Sequence, residues 1–124
     1  MEAPHTILLV EDDPQVRSSL ARLLRAEGHE VHEATTGREG VARLENLRPA
    51  LLITDVNMPD LDGLELIRLV RKRDRDLPII AMSVGGALPV GLTLEAAQLL
   101  GAHATFDKLS NPKPLLELVA RMLA

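Results

Sequence analysis

Residues 6–14 read Thr-Ile-Leu-Leu-Val-Glu-Asp-Asp-Pro, an apolar run that ends abruptly in three acidic residues and a proline. A short run that is apolar on both faces is typical of a central strand in a parallel sheet covered by helices on each side. Asp13 followed by Pro14 has the pattern of a helix N-cap with proline at the first helical position. The stretch therefore predicts a buried strand over 6–10 that leads directly into a helix.

The same alternation of apolar runs and amphipathic stretches continues along the chain. Further strands are predicted over 30–34, 50–54, 78–82 and 104–106. The first helix is expected to end at Gly28, and a second to run from Thr36-Gly37 through Leu47. A third is expected from Leu64 into the charged stretch 71–76, and a fourth over 94–100. A closing helix is indicated by an apolar stripe formed by Leu115, Leu118, Val119 and Met122. Since strand–helix alternation implies right-handed crossovers, the sequence predicts an α/β fold with a parallel sheet covered on both faces.

Composition narrows the class of protein. The 124 residues fit one domain, and the formal net charge of −4 argues against a nucleic-acid partner. There is no cysteine and only one aromatic residue, a phenylalanine, which excludes disulfides, thiolate chemistry and base-stacking recognition of single strands. Neither a membrane span nor a signal peptide is predicted, so we expect a cytoplasmic protein that does not contact the membrane.

Polar residues follow the predicted strands at their carboxyl ends, where an open parallel sheet forms its functional crevice. Glu11 and Asp12 follow the first strand, Asp55 the third, Ser83 the fourth and Lys108 the fifth. Three carboxylates in one pocket repel one another unless a cation joins them, and oxygen-only ligands favour Mg²⁺. With a lysine and a hydroxyl nearby, such a site can stabilise a transferring phosphoryl group, with a carboxylate as the nucleophile.

Four motifs in register resemble the receiver domain of bacterial two-component response regulators. They are Ile7-Leu8-Leu9-Val10-Glu11-Asp12-Asp13-Pro14, Asp55-Val56-Asn57-Met58-Pro59-Asp60-Leu61-Asp62-Gly63, Ile79-Ile80-Ala81-Met82-Ser83 and Phe106-Asp107-Lys108. The resemblance implies a flavodoxin-like (βα)5 three-layer sandwich whose parallel five-stranded sheet has the order 2-1-3-4-5. It also implies that residues 1–124 form a single receiver domain, and no output domain is expected in this chain.

The resemblance also assigns roles to the polar residues. Asp55 would be the phospho-acceptor, and Ser83 and Lys108 would contact the phosphoryl oxygens. Mg²⁺ would be held by the side chains of Asp12 and Asp55, by the backbone carbonyl of Asn57, and by Glu11 through water. The donor would be the phosphohistidine of a sensor histidine kinase or a histidine phosphotransfer protein.

By the same resemblance, phosphorylation would change partner binding, and so relay a signal, through the face formed by the fourth helix, the fifth strand and the closing helix. The chain would then be a signalling phospho-acceptor rather than an enzyme, because it catalyses only its own phosphorylation and dephosphorylation. The downstream protein is not specified by the sequence, and a homodimer is compatible with it.

Three departures from the family pattern concern the switch. Leu109 replaces the proline that usually follows the lysine in a cis peptide, Thr105 replaces the usual aromatic, and the segment 84–92 is longer and more apolar than usual. They motivate an alternative, a protein-interaction module that keeps the receiver fold but works without phosphorylation.

Two other classes fit less well. An aspartyl phosphatase usually has a second aspartate where this chain has Asn57, and a dinucleotide or flavin site needs a glycine-rich first turn, which is absent here. Asp60, Asp62 and Gly63 are interpreted as turn and helix-cap residues.

Overall fold

The computed structural model describes residues 5–56, 58, 61, 63–83 and 111–124, and the backbone of 104–107. Strands and helices alternate within these residues until the fourth strand. In chain order the elements are β1 (Thr6–Val10), α1 (Pro14–Ala26), β2 (Glu30–Ala34), α2 (Gly37–Leu44), β3 (Leu51–Asp55), α3 (Gly63–Arg73), β4 (Ile79–Ser83), β5 (Ala104–Asp107) and the closing helix α4 (Lys113–Met122). The predicted loop over 84–92 and helix over 94–100 lie outside the described residues.

The five strands form one parallel sheet in the order β2-β1-β3-β4-β5, which confirms the predicted topology. Alternate residues of β1 point to opposite faces, as strand geometry requires. Leu8 and Val10 join the core cluster that contains Leu66 and Ile67 of α3, whereas Ile7 and Leu9 join the cluster with Leu20 of α1 and Val119 of α4. The sheet is therefore the middle layer of three, as predicted.

The beginning of α1 follows the sequence prediction. Asp13 is the N-cap, and its Oδ1 accepts hydrogen bonds from the amides of Gln15 at 2.9 Å and Val16 at 3.3 Å. These bonds satisfy two of the amides that every helix leaves unpaired in its first turn. After the helix, Gly28 adopts a φ of +96°, a left-handed conformation that favours glycine and stops the chain from continuing as a helix.

The second helix ends earlier than expected. α2 stops at Leu44 rather than running through Leu47, because the amides of Glu45 and Asn46 bond to the carbonyls of Ala42 and Arg43, a tighter turn than an α-helix makes. Leu47 still packs against the core, but from the connection that follows α2.

The third helix ends at Arg73, within the charged stretch 71–76 where its end was predicted. Arg71 holds the chain that follows the helix, since its Nη1 and Nη2 atoms donate to the carbonyls of Asp74 at 3.0 Å and Leu77 at 2.8 Å. Burial accordingly lowers the pKa of Arg71. Its guanidinium fixes the turn from α3 into β4.

Candidate metal and phosphoryl site

Three carboxylates converge at the carboxyl edge of the sheet. Asp55 is the last residue of β3, while Glu11 and Asp12 directly follow β1, and these two strands are neighbours with Val10 opposite Thr54. One carboxylate oxygen from each of the three acidic residues lies within 4.8 Å of the others. Glu11 and Asp55 are buried, and Asp12 is accessible to solvent. The structure therefore brings together three of the six residues predicted for the site.

The loop after β1 is held on both sides. The amide of Glu11 donates to the carbonyl of Ala34 on β2 at 3.0 Å, which extends the sheet by one residue. The Glu11 carboxylate accepts a hydrogen bond from the amide of Asp13 at 3.0 Å, and Asp13 in turn caps α1. The two acidic side chains thus project from a backbone that is fixed between a strand and a helix.

Asp55 is the last residue of β3 and is still paired with β4. The amide of Val56 donates to the carbonyl of Met82 on β4 at 2.9 Å, and the amide of Gly63 donates to the carbonyl of Val56 at 3.2 Å. Strand β3 ends at Asp55 itself, and β4 at Ser83, so both strands lie one residue later than predicted. The aspartate is consequently part of the ladder rather than of a loose loop.

Gly63 has a role at this site that the sequence pattern did not indicate. A Cβ atom at this position would lie 2.6 Å from the Cα of Val56 and 2.8 Å from the carbonyl carbon of Asp55. The first turn of α3 can therefore pack against the end of β3 only because residue 63 has no side chain. The sequence marked Gly63 as a turn or cap residue, and its position at a close backbone approach is a tertiary feature.

Ser83 is fully buried at the end of β4, next to the strand that carries Asp55. Its Oγ atom makes no hydrogen bond with any group in the described part of the chain. Burying a hydroxyl without a partner is unfavourable, so such groups usually serve a ligand, an ion or water. β4 lies two strands away from β1, which the acidic pair follows, so this unused donor is placed to bind an oxyanion beside the carboxylates.

The remaining predicted site residues, Asn57 and Lys108, lie outside the described residues. Asp107, which precedes Lys108 in the sequence, is the last residue of β5 and pairs with Ser83 in the sheet. The expectations for Leu109, for the side chain of Thr105 and for the turn residues Asp60 and Asp62 likewise fall outside the described part of the chain.

The donor set suits a hard divalent cation. All three groups are carboxylates, and Mg²⁺ is usually bound by one or two carboxylates together with retained water and phosphate oxygens. Two of the carboxylates are buried, so a cation would offset mutual repulsion that water screens poorly there. Glu11, Asp12 and Asp55 therefore fit Mg²⁺ in chemistry and spacing.

None of the helices within the described residues has the length and apolar character needed to span a bilayer.

Comparison with known proteins agrees with the geometry. The family described as the response regulator receiver domain matches residues 7–120. Response regulator MprA of Mycolicibacterium vanbaalenii is 40% identical over 121 residues, which are 98% of this chain and 50% of that protein. The chain thus spans about half the length of the curated relatives it matches.

Solved structures are similar over nearly the whole chain. A CheY-like response regulator receiver domain protein from Methanospirillum hungatei has a TM-score of 0.87 and 32% identity, covering 97% of this chain and 94% of that one. Response regulator TrrA of Thermotoga maritima, solved in complex with Mg²⁺ and BeF, has a TM-score of 0.84 and 29% identity, covering 96% of this chain and 99% of that one. With the family match over residues 7–120, these likenesses establish that the chain belongs to the response regulator receiver domain family.

Proposed function

We propose that Asp55 accepts a phosphoryl group from a phosphohistidine, with Mg²⁺ bound by the acidic cluster Glu11, Asp12 and Asp55. The observation that carries this proposal is the convergence of three carboxylate oxygens within 4.8 Å at the end of β3 and β1. A receiver domain of a two-component response regulator needs a nucleophile and a cation at the same place. This edge of the sheet supplies groups for each.

The transfer exchanges one bond to phosphorus for another. An Oδ atom of Asp55 forms a bond to phosphorus while the P–N bond of the phosphohistidine breaks. The electron pair of that bond stays on the imidazole nitrogen, which takes up a proton from water. The product is an aspartyl phosphate, which water hydrolyses in a later step to restore the carboxylate.

The surrounding residues hold the phosphoryl group in place. The Ser83 hydroxyl, buried and without a partner among the described residues, is proposed to donate to a phosphoryl oxygen. Lys108 is proposed to contact a second oxygen, because a lysine ammonium binds phosphate as a point charge. When bound, Mg²⁺ neutralises negative charge on the phosphoryl group. Asp12 and Asp55 would hold it directly, Asn57 through its backbone carbonyl and Glu11 through water.

The partners belong to the proposal as well. The donor is proposed to be a sensor histidine kinase or a histidine phosphotransfer protein. Phosphorylation would change partner binding through the face formed by residues 94–100, β5 and α4. That residues 1–124 constitute one receiver domain acting without an output domain stays a prediction, since the curated relatives are about twice as long.

The experiment is phosphorylation of the purified chain by acetyl phosphate with Mg²⁺, followed by intact mass spectrometry. We expect one phosphoryl adduct on the wild type and none on Asp55→Asn or after chelation of Mg²⁺. Asp76→Asn is the matched control, because Asp76 is exposed and lies after α3, outside the acidic cluster. It should be phosphorylated like the wild type.

Two outcomes would contradict the proposal. An adduct that persists in Asp55→Asn would place the phosphoryl group elsewhere. A folded wild type that takes up no phosphoryl group would favour the alternative function, a phosphorylation-independent interaction module with a receiver fold. The replacements at Thr105 and Leu109 motivate that alternative.

A further inference from the structure

We propose that Arg17 is a positioning residue, which fixes the loop carrying Glu11 and Asp12 in the geometry that binds a divalent cation. The inference rests on the function proposed above and adds a residue outside the acidic cluster. Arg17 is the fourth residue of α1, and its side chain is only 17% exposed. A mostly buried arginine so close to an acidic loop must have its guanidinium hydrogen bonds satisfied by nearby groups.

The guanidinium contacts the peptide that joins the two acidic residues. Nη1 of Arg17 donates to the backbone carbonyl of Glu11 at 2.9 Å. This carbonyl belongs to the peptide plane between Glu11 and Asp12, so its orientation sets the direction in which both side chains leave the backbone. The Glu11 amide is already bonded to the carbonyl of Ala34 on β2, so Arg17 fixes the carbonyl end of the same residue.

Arg17 is itself held by an ion-pair network that links α1 to β2. Its Nε atom lies 3.4 Å from Oε1 of Glu33, and Oε2 of Glu33 lies 3.1 Å from Nη2 of Arg25. The same Arg25 nitrogen donates to the carbonyl of Val31 at 2.8 Å. A planar guanidinium that is bonded on two sides has little freedom to turn, so it can act as a rigid strut.

A purely electrostatic role for Arg17 predicts the opposite effect on metal binding. A positive charge beside the acidic cluster opposes the binding of Mg²⁺, so its removal by charge alone should tighten binding. Glu33 balances that charge in the structure. If Arg17 instead positions the loop, its removal should weaken binding, and the sign of the change decides between the two roles.

The test measures Mg²⁺ affinity by isothermal titration calorimetry on unphosphorylated protein. Arg17→Met keeps an unbranched side chain but removes the donors and the charge, and we expect its dissociation constant for Mg²⁺ to rise about tenfold, as for other residues that orient metal ligands. The matched control is Arg22→Met, which makes the same substitution at an exposed position of α1 and should bind Mg²⁺ like the wild type. At limiting Mg²⁺, Arg17→Met should be phosphorylated more slowly than the wild type, and the difference should shrink as the Mg²⁺ concentration is raised.

Arg17→Lys covers the case in which the methionine variant does not fold. It keeps the charge, but a single ammonium cannot repeat the planar contacts with Glu11 and Glu33, so we expect an intermediate dissociation constant. Mg²⁺ affinity that is unchanged or tighter in a folded Arg17→Met, or wild-type affinity in Arg17→Lys when Arg17→Met is unfolded, would overturn the positioning role alone. A wild type that binds no Mg²⁺ would instead remove the proposed function on which this role rests.

Discussion

Replacing Gly63 with alanine tests how tightly the fold holds the phospho-acceptor. The new Cβ would lie 2.6 Å from the Cα of Val56 and 2.8 Å from the carbonyl carbon of Asp55, whereas ordinary van der Waals contact begins near 3.4 Å. These neighbours are backbone atoms, which cannot rotate away as a side chain would. The carbonyl oxygen of Asp55 would be closer still, so the start of α3 and the end of β3 must separate by roughly 1 Å, and Asp55 moves with the strand.

Both stability and phosphorylation should fall in Gly63→Ala. Overpacking of this kind costs about 1–3 kcal/mol. Gly63 is the first residue of α3, so the advantage of alanine in a helix interior does not offset this cost, and we expect a loss of about 1–3 kcal/mol in the free energy of unfolding. A displacement of about 1 Å at a reacting group can lower a rate roughly 100-fold. We therefore expect phosphorylation of Asp55 to slow by about one to two orders of magnitude.

The assay pairs intact-mass kinetics in acetyl phosphate and Mg²⁺ with urea unfolding. Unfolding is followed by far-ultraviolet circular dichroism, since the chain has no tryptophan or tyrosine to report it by fluorescence. Gly28→Ala is the matched control: its φ of +96° makes alanine unfavourable by about 1–2 kcal/mol, but its Cβ would meet no atom within 4 Å. It should lose comparable stability and keep the wild-type rate.

Two results would refute this reasoning. If Gly63→Ala keeps the wild-type phosphorylation rate, the close approach of α3 does not set the position of Asp55. If Gly28→Ala loses as much rate as Gly63→Ala, the defect follows from general destabilisation rather than from displacement of the aspartate.

Two further substitutions test the role of the Ser83 hydroxyl and the pH dependence of stability. Ser83→Ala removes a buried hydroxyl that has no partner among the described residues, so the free energy of unfolding should stay the same or rise by up to about 1–2 kcal/mol while phosphorylation slows; a clear loss of stability would argue against an unsatisfied hydroxyl. Hydrogen bonds from the Thr35 hydroxyl at 2.8 Å and the Thr35 amide at 3.2 Å lower the pKa of Glu39. Because the pKa of Glu39 is lower in the folded state, its contribution to stability is present above the ordinary carboxyl pKa of 4.5 and is lost as pH falls through the folded value. Glu39→Gln should therefore lower the free energy of unfolding at pH 7 but not at the acid end of a series of urea-unfolding curves. An equal loss at every pH would contradict this assignment.

The elements that the sequence predicted well are those encoded locally. The strand over 6–10 follows from four consecutive apolar residues, Ile7 to Val10, and the start of α1 follows from Asp13 and Pro14, which act within one helical turn. The end of α2 was wrong for a related reason. Leu47 fits the helical spacing and is partly buried, but spacing reports burial rather than backbone hydrogen bonding, and the chain had already left the helix at Leu44.

Contacts between distant parts of the chain were beyond the reach of pattern analysis. The strand order depends on which strands pair, and here it was implied by the resemblance rather than by spacing. The close approach of Gly63 to Asp55 depends on how α3 packs on β3. The bond from Arg17 to the Glu11 carbonyl depends on the direction of a long side chain, and an arginine on an amphipathic helix is ordinarily exposed.

The stretch 6–14 links the fold to the site because its backbone bonds to β2 on one side and begins α1 on the other. On the sheet side, the amide of Glu11 extends the pairing with β2 beyond the last strand residue. On the helix side, Asp13 accepts from the first turn of α1, and its own amide donates to the Glu11 carboxylate. This bond fixes one carboxylate oxygen of Glu11 against the start of α1. The interactions that end β1 and begin α1 are therefore the same interactions that hold two acidic side chains beside Asp55.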